Sequence, residues 1–127
     1  MFDDLKVFQT SFAMAQHAGA RQAVTAANMA NADTPGYRAQ SIAPFSDTFA
    51  STQSTGMRTT RANHMGADTT PGATEPKYSD AEASPNGNTV SLEQEMINSV
   101  EIQREHNRAL AIYKHSLDVL RISLGRR

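Results

Sequence analysis

Metal or acid–base chemistry in this chain would have to begin with its four imidazoles, His17, His64, His106 and His115. An imidazole ligates a metal or moves protons near neutral pH, but it needs partners at short spacing to do either. None of the four has them: His106 and His115 stand nine residues apart, more than two helical turns and too far to share an ion. His-Glu-x-x-His, a glycine-rich phosphate loop and a nucleophile elbow are all missing. The paired acids Glu93/Glu95 and Glu101/Glu105 read as helix-start and solvated-face charges, the second pair lying three or four residues from arginines. With no cysteine in the chain, disulfide and thiolate-metal sites are excluded. The expectation is a protein that is not an enzyme and uses no metal, cofactor or small-molecule substrate.

The residue types that do stand out are amides. Asn28 and Asn31 share one face of a helix by their i,i+3 spacing, and they precede Thr34-Pro35-Gly36-Tyr37. Near a helix end the last carbonyls lack intrahelical partners, and an asparagine amide is an efficient local donor. The pair could tie the helix end to the returning chain, or reach a neighbouring molecule. Thr34 before Pro35 is pushed away from helical angles, Pro35 suits the second position of a turn, and Gly36 supplies the positive φ that a type II turn needs at its third. Tyr37 then leaves in a fixed direction. An ordinary helix stop would require only the Thr-Pro-Gly part.

Two long apolar periodicities must position this motif. In the first, Leu5, Phe8, Phe12, Ala15, Gly19, Gln22, Ala26 and Met29 alternate steps of three and four, a heptad-like seam that narrows from phenylalanine to alanine and glycine. Asp3 and Asp4 suit the positive end of its dipole. In the second, Leu92, Met96, Ser99, Gln103, His106, Leu110, Tyr113, Leu117, Leu120 and Leu124 keep the same spacing without a slip. Ser91 with Gln94 has the capping-box arrangement, and Gly125 suits the left-handed position after the last turn. This helix, of roughly 34 residues, would be about 50 Å long at 1.5 Å per residue. His106 reads as a register-setting polar residue like Gln103 and Ser99, and Tyr113 as packing. A second stripe, Ile102, Ala109, Ile112 and Val119, widens the apolar face and implies more than one neighbour.

Between these helices, residues 50–85 offer few large apolar side chains, Met57, Met65 and Tyr78, among many Thr, Ser, Gly and Pro. Such a segment cannot by itself bury enough surface to offset an ordering cost of roughly 1–2 kcal/mol per residue. Ile42, Phe45 and Phe49 form an apolar patch that is extended or helical, and Ser84-Pro85-Asn86-Gly87-Asn88 is turn chemistry. The fold class expected is mainly α: long N-terminal and C-terminal helices packing in coiled-coil fashion, with an irregular, mostly non-helical middle. The divisions are an N-terminal helix over 1–33, the turn and middle over 34–90, and a C-terminal helix over 91–127.

With 127 residues and a net charge of −1, the chain has room for one small unit and no global field for nucleic acid. MFDDLKVFQTSF lacks the basic, apolar and small-residue regions of a cleaved signal peptide, and no apolar run approaches the roughly 18 residues of a membrane span. Helices with this much apolar surface and so little core imply association.

Asn28-Met29-Ala30-Asn31-Ala32-Asp33-Thr34-Pro35-Gly36-Tyr37 closely resembles the N-terminal signature of bacterial flagellar axial proteins, the rod and hook family, written NIANxxTPGY. The block from Asn86 to Met96, followed by a leucine-rich heptad helix, resembles that family's C-terminal signature. Thr25 and Met29 depart mildly, standing where the family often has leucine and isoleucine. The short middle points to the rod members. The resemblance implies a structural subunit exported through the flagellar type III apparatus without a cleaved signal, assembling in the periplasm into a helical tube that transmits torque. Its partners would be other rod subunits, like and unlike, and the membrane-embedded ring with its export apparatus. On this reading Asn28, Asn31, Thr34, Pro35, Gly36 and Tyr37 set the exit angle from the first helix. Leu5, Phe8, Phe12, Met29, Leu110, Tyr113, Leu117, Leu120 and Leu124 form subunit interfaces. The alternative is a soluble helical-hairpin adaptor that binds a partner helix, with the middle as a tether.

Overall fold

The computed structural model describes residues 2–49 and 75–125, with side-chain surroundings described from residue 6 onward. Leu5, Asp3 and Asp4 therefore contribute backbone only, and Met57, Met65 and His64 lie outside the described residues. Among the described residues an N-terminal helix, Phe2–Ala30, and a C-terminal helix, Leu92–Ser123, dominate a mainly helical fold, and the stretches between them, 31–49 and 75–91, are less regular. They pack antiparallel: Phe8 meets Tyr113, Gln22 meets Ser99 and Arg21 meets Glu105.

The helices meet along part of the expected seam, with Phe8, Ala15, Gln22, Ser99 and His106 half-buried or in contact across it, but at alternate positions the buried residue is the one before. Ser11, Ala18 and Thr25 are buried where Phe12, Gly19 and Ala26 were expected, and Glu95, Ile102 and Ala109 where Met96, Gln103 and Leu110 were expected. A one-residue step turns a helix face by about 100°. Phe12 is consequently 59% exposed and Leu110 49%. Ile102 and Ala109, assigned from sequence to an accessory stripe, thus form the centre of the intramolecular contact. The cause is steric, since Ala, Ser and Thr let two helix backbones approach closely, whereas Phe and Leu at the same positions would hold them apart. Away from the junction the two surfaces converge: Phe8, Leu117 and Leu120 are half-buried, and Phe8 packs edge-to-face on Tyr113 with centroids 5.3 Å apart.

The helix ends differ from expectation at one point. Ser91 occupies the N-cap of the C-terminal helix with extended angles but makes no side-chain cap bond. Gln94 donates instead to Asn98 Oδ1 at 3.2 Å, so the capping box does not close. Glu93 and Glu95 still place negative charge in the first turn. At the other end Gly125 has φ +67°, and its N–H reaches the Ile122 carbonyl at 3.1 Å.

Two short strands link the helices to the middle. Strand β1, Gln40–Ser41, pairs antiparallel with β2, Lys77–Tyr78, setting Gln40 opposite Tyr78 and Ser41 opposite Lys77. The Ile42–Phe45–Phe49 patch is both of the conformations the sequence allowed: Ile42 follows β1 and is buried, while 45–49 make a helical turn that stacks Phe45 on Phe49.

Candidate functional site

The final turn of the N-terminal helix tightens as it ends. The Asn31 N–H is shared between the Ala27 and Asn28 carbonyls, and Ala32 N–H reaches Met29. Thr34-Pro35-Gly36-Tyr37 then closes a turn by Tyr37 N–H donating to the Thr34 carbonyl at 3.3 Å, with Gly36 at φ +72°. A four-residue turn with proline second and positive φ third is of type II. The two motif asparagines act on different partners. Asn31 Nδ2 donates back to Ala27 O at 2.8 Å while its Oδ1 accepts from the Thr34 hydroxyl at 3.3 Å, bracing the turn against its own helix.

Asn28 is almost wholly enclosed, at 1% exposure. Its amide pairs with the backbone of Gln40 in both directions, Nδ2 donating to the carbonyl at 2.7 Å and Oδ1 accepting from the N–H at 3.1 Å. The side chain thereby stands in for a strand on the open edge of β1. The Tyr37 hydroxyl adds a longer contact to the same oxygen at 3.4 Å. Both asparagines bond within the chain.

A third asparagine, which sequence reasoning placed only in a turn, is the centre of the site. Asn88, 2% exposed, directs Nδ2 at the carbonyls of Asn31, Ala32 and Thr34, at 2.8–2.9 Å. Those carbonyls belong to the turns that follow the helix; Asn31 O and Thr34 O also accept backbone N–H groups, from Thr34 and Tyr37. Its Oδ1 accepts from Val90 N–H at 2.7 Å, and its own N–H is held by Asn86 Oδ1 at 3.0 Å. Backbone joins the same two segments, since Gly36 N–H donates to Asn86 O and Thr89 N–H to Tyr37 O. The Thr89 hydroxyl receives Ala39 N–H at 2.8 Å. Gly87, at φ +81°, passes so close that a Cβ there would lie 3.4 Å from the Gly36 Cα. The signal in the sequence was the Asn-Gly-Asn string and its place in the second signature block; what the string lacked was any indication that its partner lay more than fifty residues upstream.

The other predicted residues fall on the helix surfaces. Phe12, Leu110, Tyr113 and Leu124 are exposed, Met29 borders on exposure at 36%, Phe8, Leu117 and Leu120 are half-buried, and Leu5 lies outside the described side chains. His106 is half-buried and lines a groove of about 350 Å³ with Ala18, Gly19, Gln22, Ala26 and Ile102; His115 is exposed. Among the described residues no group of three His, Cys, Asp or Glu side chains is arranged to hold a metal ion, and no helix is long and apolar enough to cross a membrane.

The junction is an architectural site. It fixes where one helix stops, where the next begins and how the chain between them departs. Residues 13–38, from the second half of the N-terminal helix through the turn, match a family model described as flagella basal body rod protein. Over 115 residues the chain is 30% identical to the flagellar basal body rod protein FlgB of Agrobacterium fabrum, an overlap of 87% of this chain and 86% of that one.

Proposed function

The chain belongs to the flagellar basal body rod protein family, and on that premise we propose that it is an FlgB-type subunit of the proximal rod. The family is one of structural rod proteins, and a basal-body location follows from membership. The related rod protein FlgC was the near alternative on sequence; identity to an FlgB over most of both chains favours the former. On this reading the subunit leaves the cytoplasm through the flagellar export apparatus without a cleaved signal, and assembles in the periplasm between the membrane-embedded ring and the distal rod. The helices of like and unlike subunits then pack into a tube that carries torque. Head-to-tail contacts that do not close generate such a filament.

One observation carries the reading: the helices bury small residues such as Ser11, Ala18 and Ala109 between them and leave large apolar ones, Phe12, Met96, Val100 and Leu110, exposed. Outward apolar strips of this length are what neighbouring helices cover. The asparagine junction serves it by repeating one exit angle in every subunit. Deleting the gene and examining purified basal bodies by electron microscopy tests the assignment: loss of the rod with the ring retained is expected, and an intact rod refutes it. Gly36→Val tests the junction, because normal rod assembly and motility in that variant would show that the turn's positive φ is dispensable. Sedimentation of the isolated chain separates the adaptor alternative, which requires a stable monomeric bundle in dilute solution.

A further inference from the structure

His17 sits at mid-length in the N-terminal helix, 1% exposed, and neither ring nitrogen has a hydrogen-bond partner in acceptable geometry. Three elements surround it. Its own helix supplies Arg21 one turn away, and the C-terminal helix supplies Glu105, whose carboxylate binds Arg21 Nη1 at 2.6 Å. The segment after β1 supplies the Phe45 ring, edge-to-face at 5.5 Å, and the Ala43 backbone. Asp47, the titratable residue of that segment, is exposed and accepts from the Ser46 hydroxyl.

An imidazole held this way is tolerated only while neutral. Protonation would bury a positive charge with no well-placed acceptor at either ring nitrogen, beside an arginine whose counter-ion is already engaged. Of the three surrounding elements, the segment 42–49 is the one that can yield, since it is held by a few side chains whereas the helices share a long interface. We propose that His17 is a proton-operated latch: neutral, it docks the 42–49 segment through Phe45, and protonated, it releases that segment while the helix pair stays intact. The device would change how the chain leaves β1 toward the middle region without disturbing the asparagine junction.

The direction of the response is fixed. Burial, then Arg21, lower the affinity of His17 for a proton below the ordinary imidazole value of 6.5, with Glu105 and the Ala43 backbone opposing more weakly. Above that value the docked and released forms are both neutral and docking is unaffected. As pH falls below 6.5 the released form takes up the proton first, so the docked-to-released ratio drops by up to tenfold per pH unit until the docked form also protonates. The test is a pH titration of the full chain by NMR from pH 8 to 5, following the His17 ring and the signals of Ile42, Phe45 and Phe49. The expected result is that these three shift together below pH 6.5 while Ser11 and Thr25 do not, and that His17→Phe and His17→Gln, which cannot titrate, both lose the response. The proposal is overturned if either variant keeps the same pH profile, if His17 titrates at or above 6.5 with the segment docked, or if the segment is undocked at every pH.

Discussion

Asn88 shows how one amide can join two signatures that lie far apart in sequence. It presents two N–H groups to three carbonyls of the turn after the helix and one oxygen to Val90 N–H, in a place with 2% exposure. A buried polar group left without its partner costs about 1–3 kcal/mol, so Asn88→Ala, which takes their side-chain partner from the Ala32 carbonyl and the Val90 N–H, should destabilise by about 3 kcal/mol. Asn88→Asp is the sharper experiment. It keeps the size and the acceptor but turns a donor into an anion facing three carbonyl oxygens, and should cost more than the alanine change; thermal or denaturant unfolding of the two variants gives the order. Gly87 is constrained by a different force. At φ +81° a side chain is strained wherever it points, by roughly 1–2 kcal/mol, while its Cβ would only touch Gly36 at van der Waals distance. Gly87→Ala should therefore lose about 1–2 kcal/mol from backbone strain alone, measured the same way.

At the scale of the elements, the position of the N-cap was legible but its hydrogen bond was not. Ser91 stands at the N-cap without a cap bond, so Ser91→Ala should change stability by less than about 0.5 kcal/mol, against the 0.5–2 kcal/mol usual for a working serine cap; chemical denaturation decides it. Helix existence, extent and ends were legible because a three-four periodicity over thirty residues has no competing interpretation, and the Thr-Pro-Gly turn was legible because only glycine fits its third position. The contact face was not. The C-terminal helix carried two adjacent stripes and the N-terminal helix one seam of larger residues, yet close approach selects Ala18, Ser11 and Ala109 over Phe12 and Leu110. The role of Asn88 was hidden for a related reason. Periodicity reports faces within an element, whereas a long-range cap depends on the chain returning to a particular carbonyl cluster, which no local spacing encodes. Asn28 pairing with Gln40 is intermediate: the need for a partner was readable, its identity was not.

For the whole molecule, the mismatch between the two stripes becomes an argument about design. A chain that folded for its own sake would turn Phe12 and Leu110 inward; this one buries Ser11, Ala18, Thr25 and Ala109 beside Ile102, and so keeps large apolar residues for other surfaces. Folding and assembly should then be separable by mutation. Phe12→Glu and Leu110→Glu fall on exposed positions and should leave helical content and unfolding free energy within about 0.5 kcal/mol of the parent, while abolishing rod assembly and motility when they replace the native gene. Ala109→Leu provides the converse. It inserts three extra carbons where the helices touch, and overpacking of that kind costs about 1–3 kcal/mol, so the isolated chain itself should weaken. If the glutamate variants unfold the chain instead, the outward stripes are part of its own core and the division of labour between the two faces is wrong. If they fold and still build rods, the neighbours must bind elsewhere, and the small-residue groove between Gly19 and His106 becomes the surface to test next.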